Sequence, residues 1–321
     1  MMTQTLIEPA PLRFKLDPVQ RLEANIARVL RGKEEAIRLA VVALLAEGHL
    51  LIEDVPGVGK TTLAQAMARS LGLRFQRIQF TSDLLPSDII GISVYKQSSQ
   101  SFEFVAGPLF ANVVLADEIN RATPKTQSAL LEAMGEAKVT IERKRYNLPQ
   151  PFLVIATQNP LEYQGTFPLP ESQLDRFLMS LSLGYPPRQE ELGLLLNGGV
   201  DAELAGLEPV VSGEELLTLQ AEVKRVKVSP KLGEYLLNLA EATRRGGEFL
   251  LGVSTRGLQG LYRASQALAL AEGREFVIPD DIARLTPPVL AHRVMLRRGN
   301  PELGSSRRAL ERLLAELPVP V

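Results

Sequence analysis

Asp54-Val55-Pro56-Gly57-Val58-Gly59-Lys60-Thr61-Thr62 stands between the short apolar run His49-Leu50-Leu51-Ile52-Glu53 and a series of good helix formers from Lys60 to Leu71. The order reads strand, tight loop, helix. Glycines at 57 and 59, with Val58 between them, let backbone N–H groups curl around phosphate oxygens, and the start of the helix adds the positive end of its dipole. Lys60 has the reach for β- and γ-phosphates and Thr61 a hydroxyl for Mg²⁺, while Thr62 completes the set at the helix start. The candidate binding residues for a nucleoside triphosphate are therefore Gly57, Val58, Gly59, Lys60, Thr61 and Thr62. The loop departs from the usual Gly-x-x-x-x-Gly-Lys pattern at its first position, which is Asp54. A turn with no ligand is the competing reading.

Outward from the loop, the same alternation recurs. Strand candidates are Phe75–Phe80, Val113–Ala116, Phe152–Ala156 and Phe177–Leu183, with a helix over Thr126–Met134. Apolar strands separated by helices predict an α/β fold whose mostly parallel sheet is covered on both faces. The second chemical signal is Asp117-Glu118, two carboxylates delivered by an apolar strand at its C-terminal end, where ligands of open α/β sheets collect. Asp117 is the candidate for the Mg²⁺ shell and Glu118 for the general base, a solvated acidic strand end being the alternative. Two polar interruptions, Gln97–Ser101 between the strand-like segments Ile89–Val94 and Phe102–Val105, and Arg143–Arg145 between Val139–Glu142 and Tyr146–Leu148, read as hairpin insertions.

Upstream, residues 1–18 read as a loose or wrapping arm, followed by helices over Pro18–Leu30 and Glu34–Glu47. Downstream of Gly184-Tyr185-Pro186-Pro187 the texture turns helical, over Glu214–Val226, Lys231–Arg244, Ser254–Ala271 and Ser305–Leu317. This divides the chain into a nucleotide-binding core over 19–187 and a smaller helical domain over 188–321.

The composition sets the outer limits. The 321 residues are enough for roughly two domains. With 45% hydrophobic and 23% charged residues, and 36 basic side chains against 37 acidic, the chain reads as an ordinary globular protein rather than one that coats nucleic acid by overall charge. Zero cysteines exclude disulfides and thiolate chemistry, and two histidines, His49 and His292, expected at the surface or at helix ends, leave little for a histidine metal centre. The longest apolar stretch, Ile37–Ile52, is interrupted by Arg38, Glu47 and His49, so no membrane span is expected. Residues Met1–Leu16 lack the pattern of a secretory signal, and the expected location is cytoplasmic.

Four segments together resemble the MoxR family of AAA+ ATPases, over nearly the whole chain from Leu22 onward: Glu53–Thr61, Leu115–Arg121, Ala156–Pro160 and Leu169–Phe177. The resemblance implies a five-stranded AAA+ core with two hairpin inserts and an all-α lid, ATP with Mg²⁺ as cofactors, and hydrolysis to ADP and phosphate. Asn159 matches sensor 1, which orients the attacking water. Arg176 matches the arginine finger presented to a neighbouring subunit, although a salt bridge to Asp175 or Glu171 is an alternative. Arg256, in Gly252-Val253-Ser254-Thr255-Arg256, matches sensor 2. Arg31 and Gly32, in Val29–Lys33, match the segment lining the adenine pocket.

The function implied by the resemblance is that of a homo-oligomer, a ring of six, acting as a chaperone-like remodelling or maturation factor on a protein client, with a von Willebrand factor A domain protein as partner. The hairpins would face a pore or partner, although Arg143-Lys144-Arg145 also suits a solvated tip. A nucleic-acid motor and the motor subunit of a metal chelatase are the competing readings. Neutral charge and few aromatics interleaved with basic residues speak against nucleic acid.

Overall fold

The computed structural model describes residues 13–98, 100–142, 144–160, 164–196, 199–245, 247–297 and 304–320. The chain enters through α1 (Arg13–Ala27) and α2 (Glu34–Leu45). It then runs through β1 (Leu50–Glu53), α3 (Lys60–Ser70), β2 (Phe75–Gln79), α4 (Pro86–Ile90), the hairpin β3 (Gly91–Lys96) and β4 (Ser101–Ala106), and β5 (Val113–Asp117). Next come α5 (Pro124–Glu136), the hairpin β6 (Lys138–Ile141) and β7 (Lys144–Asn147), β8 (Leu153–Gln158), α6 (Glu171–Leu174) and β9 (Met179–Leu181). After Pro186 and Pro187 follow α7 (Arg188–Leu196), α8 (Asp201–Ala205), α9 (Gly213–Val223), α10 (Pro230–Arg245), β10 (Phe249–Leu251), α11 (Thr255–Ala271), α12 (Pro279–Leu290), β11 (Met295–Leu296) and α13 (Ser305–Glu316).

Five strands pair in parallel in the order β2-β5-β8-β1-β9. Side chains alternate between the two faces of a strand, and along β1, β5, β8 and β9 both faces are buried, while the outer strand β2 is only partly covered. Leu51, Val114, Ala116, Val154 and Ala156 pack with Leu130 and Leu131 of α5. Leu50, Ile52, Val113, Leu115, Leu153, Ile155, Met179 and Leu181 belong to a second core that takes in α1–α3 and the C-terminal helices. The lid and one face of the sheet thus share one apolar interior. No described helix is long and apolar enough to cross a membrane.

The expected sheet, two hairpins and helical lid are present, with differences at particular elements. The arm expected over 1–18 falls largely outside the described residues, and its last six residues already belong to α1, which carries Pro18 inside it. Helix α1 stops at Ala27, and Val29 and Leu30, expected to extend it, turn inward and are buried. Ile89 and Ile90 end α4 rather than begin the first hairpin. The lid adds one short antiparallel pair, β10 with β11, to its helices. Two or three residues are too few to show strand periodicity in a sequence. Arg143, at the tip of the second hairpin, lies outside the described residues. His49, expected near the surface, is buried in front of β1.

Candidate functional site

Beyond β1 the backbone turns through Gly57 (φ +83°) and Gly59 (φ +98°), and Gly59 caps the N-terminus of α3. A Cβ on Gly57 would meet nothing within 4 Å, so the left-handed backbone, not crowding, asks for glycine there. The first bond of α3 runs from Leu63 N–H to the Gly59 carbonyl, at 2.9 Å. The N–H groups of Lys60, Thr61 and Thr62 therefore point out of the helix end, the arrangement that receives an anion. Val58 is buried beneath the turn and Thr61 and Thr62 are half-buried.

Lys60 donates from Nζ to the backbone carbonyl of Asp54 at 2.8 Å. Burial pulls its amine below the ordinary lysine range, and the charges of Asp117, Asp54 and Glu118 act against that pull. Those three carboxylates face the ammonium at this edge of the sheet, with the guanidiniums of Arg77 and Arg121 paired with Asp117 and Glu118.

Strand β5 is buried along its length and ends on Asp117. Glu118 follows in the left-handed region (φ +56°), where a side chain costs about 1–2 kcal/mol. The hydroxyl of Thr157, from β8, donates to Asp117 Oδ1 at 2.6 Å and accepts the Glu118 N–H at 2.9 Å. Asp117 Oδ2 receives the guanidinium of Arg77 through Nη2 at 2.6 Å and Nε at 3.1 Å. Glu118 Oε2 receives Gln79 Nε2 at 2.9 Å and lies 3.1 Å from Arg121 Nε. Asn159 follows β8 directly, and in the parallel register Gln158 pairs with Glu53. Strands β1, β5 and β8 thus deliver Asp54, Glu118 and Asn159 to the same edge.

Thr61 and Asp117 supply the hard oxygen donors that suit a Mg²⁺ ion taking its remaining ligands from phosphates and water. The buried, cation-bound state of Asp117 agrees with a carboxylate meant to face positive charge.

Arg176 and Arg256 are not at this edge. Leu178 N–H donates to the His49 carbonyl at 2.8 Å, which puts the start of β9 beside the start of β1. The phosphate loop begins five residues of extended chain further on, roughly 16 Å away. Arg176 is exposed there and donates from Nη1 to the Leu131 carbonyl of α5, not to Asp175 or Glu171. Asp175 is held instead by the lid: Ser254 Oγ lies 2.9 and 3.0 Å from its two oxygens and Arg293 Nη1 3.1 Å from Oδ1. Ser254 also caps α11, accepting Gly257 N–H at 2.9 Å, so Arg256 lies in the first turn of the helix whose cap holds Asp175. Arg176 and Arg256 share one edge, and Lys60 and Glu118 the opposite one.

In the segment expected at the adenine, Leu30 touches the phosphate loop, lying 3.0 Å from where a Cβ of Gly59 would be. Arg31 turns toward the lid and pairs with Glu203 at 2.7 Å. Gly32 (φ +67°) packs against Pro187.

Sequence reasoning misses Arg77, Gln79 and Thr157. The first two occupy alternate positions of β2, a polar period of two beside β5, and that spacing is the one signal of them in the sequence.

A parallel sheet with a glycine loop and two carboxylates at its C-terminal edge, followed by a helical lid, defines the AAA class of ATPase folds. Residues 49–179 match the family described as ATPase family associated with various cellular activities (AAA), and residues 241–313 match the AAA lid domain. The chain is 49% identical over 298 residues to the uncharacterized protein YeaC of Bacillus subtilis (strain 168), covering 92% of this chain and 93% of that one. It is 40% identical over 294 residues to chaperone MoxR1 of Mycobacterium tuberculosis, covering 89% and 78%. A crystal structure from Cytophaga hutchinsonii superposes with a TM-score of 0.87 at 35% identity, over 97% of each chain. The chain belongs to the MoxR family of AAA+ ATPases.

Proposed function

We propose that the chain hydrolyses ATP with Mg²⁺ as a ring-forming machine, six subunits to a ring, that remodels or matures partner proteins in the cytoplasm. The observation that carries this reading is the division of the candidate residues between two edges of one sheet. Lys60, Thr61, Asp117, Glu118 and Asn159 belong to one edge, and Arg176 and Arg256 to the other, so a second copy completes the site. Lys60 and the loop amides hold the phosphates, and Arg31 and Gly32 belong to the segment beside the base. Bound through Thr61 and Asp117, Mg²⁺ supplies charge neutralisation on the phosphates. Glu118 takes the proton of a water that Asn159 orients. Arg176, with Arg256, meets the γ-phosphate held by the neighbouring subunit, where a finger arginine is worth ~10³–10⁵ in rate.

The name of the Mycobacterium relative, a chaperone, supports a protein client. A partner with a von Willebrand factor A domain and a client contact at the two hairpins belong to the same reading, and nucleic acid does not.

Lys60→Ala is expected to lose MgATP binding in calorimetry. Glu118→Gln is expected to keep it while hydrolysis falls ~10²–10⁴-fold, and normal turnover would remove Glu118 from its role. Mixing Arg176→Ala chains with Lys60→Ala chains should restore part of the hydrolysis at mixed interfaces, and no restoration would sink the shared site. Native mass spectrometry of Glu118→Gln with MgATP should read a closed ring. ATP hydrolysis stimulated by DNA and lost with added salt would turn the assignment to a nucleic-acid motor.

A further inference from the structure

The residue that breaks the usual phosphate-loop pattern is tied, through both its backbone and its side chain, to two different parts of the molecule. The carbonyl of Asp54 accepts Lys60 Nζ at 2.8 Å. Its carboxylate Oδ2 accepts the N–H groups of Leu183 and Gly184, each at 2.7 Å, and the Ser182 hydroxyl at 3.0 Å, while Oδ1 accepts Val55 N–H at 2.9 Å. Asp54 is buried, at 8% exposure. Burial pushes its carboxyl up, but hydrogen bonds from Gly184, Ser182, Val55 and Leu183 outweigh that and hold it below the usual range, as the charged acceptor.

Residues 182–185 form the strap that leaves β9 for the lid. The other side of the strap is held too. Lys33, buried at the start of α2, donates from Nζ to the carbonyls of Leu183 at 2.7 Å, Gly184 at 3.0 Å and Tyr185. The strap's amides are thus bound to an anion on the phosphate loop and its carbonyls to a cation on α2. Gly32, next to Lys33, abuts Pro187 where the strap ends.

A turn alone needs no carboxylate at position 54, since its left-handed angles fall on Gly57 and Gly59. If Lys60 turns to a phosphate, the Asp54 carbonyl gives up its partner, and the peptide that carries the strap-binding carboxylate is the one released. We infer that Asp54 is a positioning residue that passes the occupancy of the phosphate loop to the lid strap, with Lys33 as the opposing hold. The inference rests on the nucleotide-binding reading above. Beyond the strap, the lid grips Asp175 through Ser254 and Arg293, beside Arg176, so the route ends at the opposite edge of the sheet.

The test uses the full chain, MgATP as the probe, calorimetry for binding and hydrogen exchange for the response. Without nucleotide, Asp54→Gly, which restores the general pattern, should raise exchange at the Leu183 and Gly184 amides at least ~10-fold, and Lys33→Met, which faces carbonyls, much less. With MgATP, the wild type should change its exchange over 188–196 and the first turn of α11, and its failure to do so overturns the inference; Asp54→Gly should bind within ~5-fold of the wild type yet lose that change. An unchanged lid response in Asp54→Gly overturns the inference, as does a folded Asp54→Gly that no longer binds MgATP, because Asp54 would then serve the loop alone. Should Asp54→Gly not fold, Asp54→Asn keeps the shape without the charge and should give a partial loss of the same response. Wild-type chain that binds no MgATP sinks the parent reading, and the nucleotide-free amide exchange separates that failure from a missing clamp.

Discussion

One hydroxyl joins the two carboxylates on which hydrolysis would depend. Thr157 Oγ1 gives its proton to Asp117 and takes the N–H of Glu118, so it fixes the first side chain and the strained backbone of the second. Thr157 is fully buried, and Thr157→Val keeps its shape while leaving the Glu118 N–H without its acceptor. The expected cost is about 1–3 kcal/mol of stability, read by urea unfolding. A misplaced Glu118 should also slow ATP hydrolysis ~10-fold, about 1.4 kcal/mol of barrier, with MgATP affinity within ~3-fold. Thr157→Ser should recover most of both, and a Val variant that turns over like the wild type would exclude the hydroxyl from the machinery. Lys60 and Asp117-Glu118 are legible because a loop glycine or a paired carboxylate is odd in its own neighbourhood. Thr157, Arg77 and Gln79 are ordinary residues inside strands. Their meaning comes from partners about 40 positions away, 40 for Thr157 and Arg77 with Asp117 and 39 for Gln79 with Glu118, which only sheet register supplies. Asp54 is visible in the sequence as a departure, but the strap it holds lies 128 to 130 residues downstream.

Elements whose periodicity is undisturbed are the ones that read cleanly. The four-to-six-residue strands β1, β5 and β8 are apolar runs because both their faces are covered, and α3 and α11 follow caps that glycine and serine announce. Helix α12 is hidden in the sequence because Pro279, Pro287 and Pro288 read as breaks. Pro279 sits at the first helical position, where its missing N–H costs nothing, and the last two are buried at the far end of the helix. The first hairpin stands apart from the sheet. Among the described residues, strands β3 and β4 pair only with each other, and Tyr95 stacks edge-on with Phe102 at 5.4 Å although they are 51% and 67% exposed. Phe104, behind them, packs on Tyr146 of the second hairpin at 4.3 Å, which anchors the pair to the core. The double variant Tyr95→Ser/Phe102→Ser removes one exposed cross-strand pair and is expected to lose under ~1 kcal/mol in thermal unfolding. Basal hydrolysis should remain, while binding of a hydrophobic dye should fall. A loss of several kcal/mol would mean that the tip supports the fold.

Acid stability reports on the whole molecule, because both histidines sit at junctions between its parts. His49 joins three elements: Nδ1 accepts the Val154 N–H of β8 at 3.1 Å, Nε2 lies 3.0 Å from the Met134 carbonyl of α5, and its own carbonyl anchors Leu178 ahead of β9. With Nδ1 accepting, Nε2 must be the donor, so the ring is neutral. Burial lowers its pKa to about 4, against a hydrogen bond to Met134 that acts the other way. His292, in the turn after α12, lies 3.0 Å from the Phe177 carbonyl, and burial with the charge of Arg293 brings it to about 3. An unfolded chain protonates both rings near pH 6.5. Between pH 6.5 and 4 the unfolded state therefore holds protons that the folded state refuses, and stability falls as pH falls. Above 6.5 the contribution is complete and the curve is flat. Each ring should account for about 1.4 kcal/mol per pH unit inside the window, or roughly 2 kcal/mol between pH 7.5 and 5. Urea unfolding at pH 7.5, 6 and 5 should show the midpoint moving down with acidity, and His49→Gln should start lower at pH 7.5 yet lose less on acidification. A wild-type midpoint that holds steady to pH 5 would mean that the sheet–helix junction at His49 and the core–lid junction at His292 open enough to hydrate both rings.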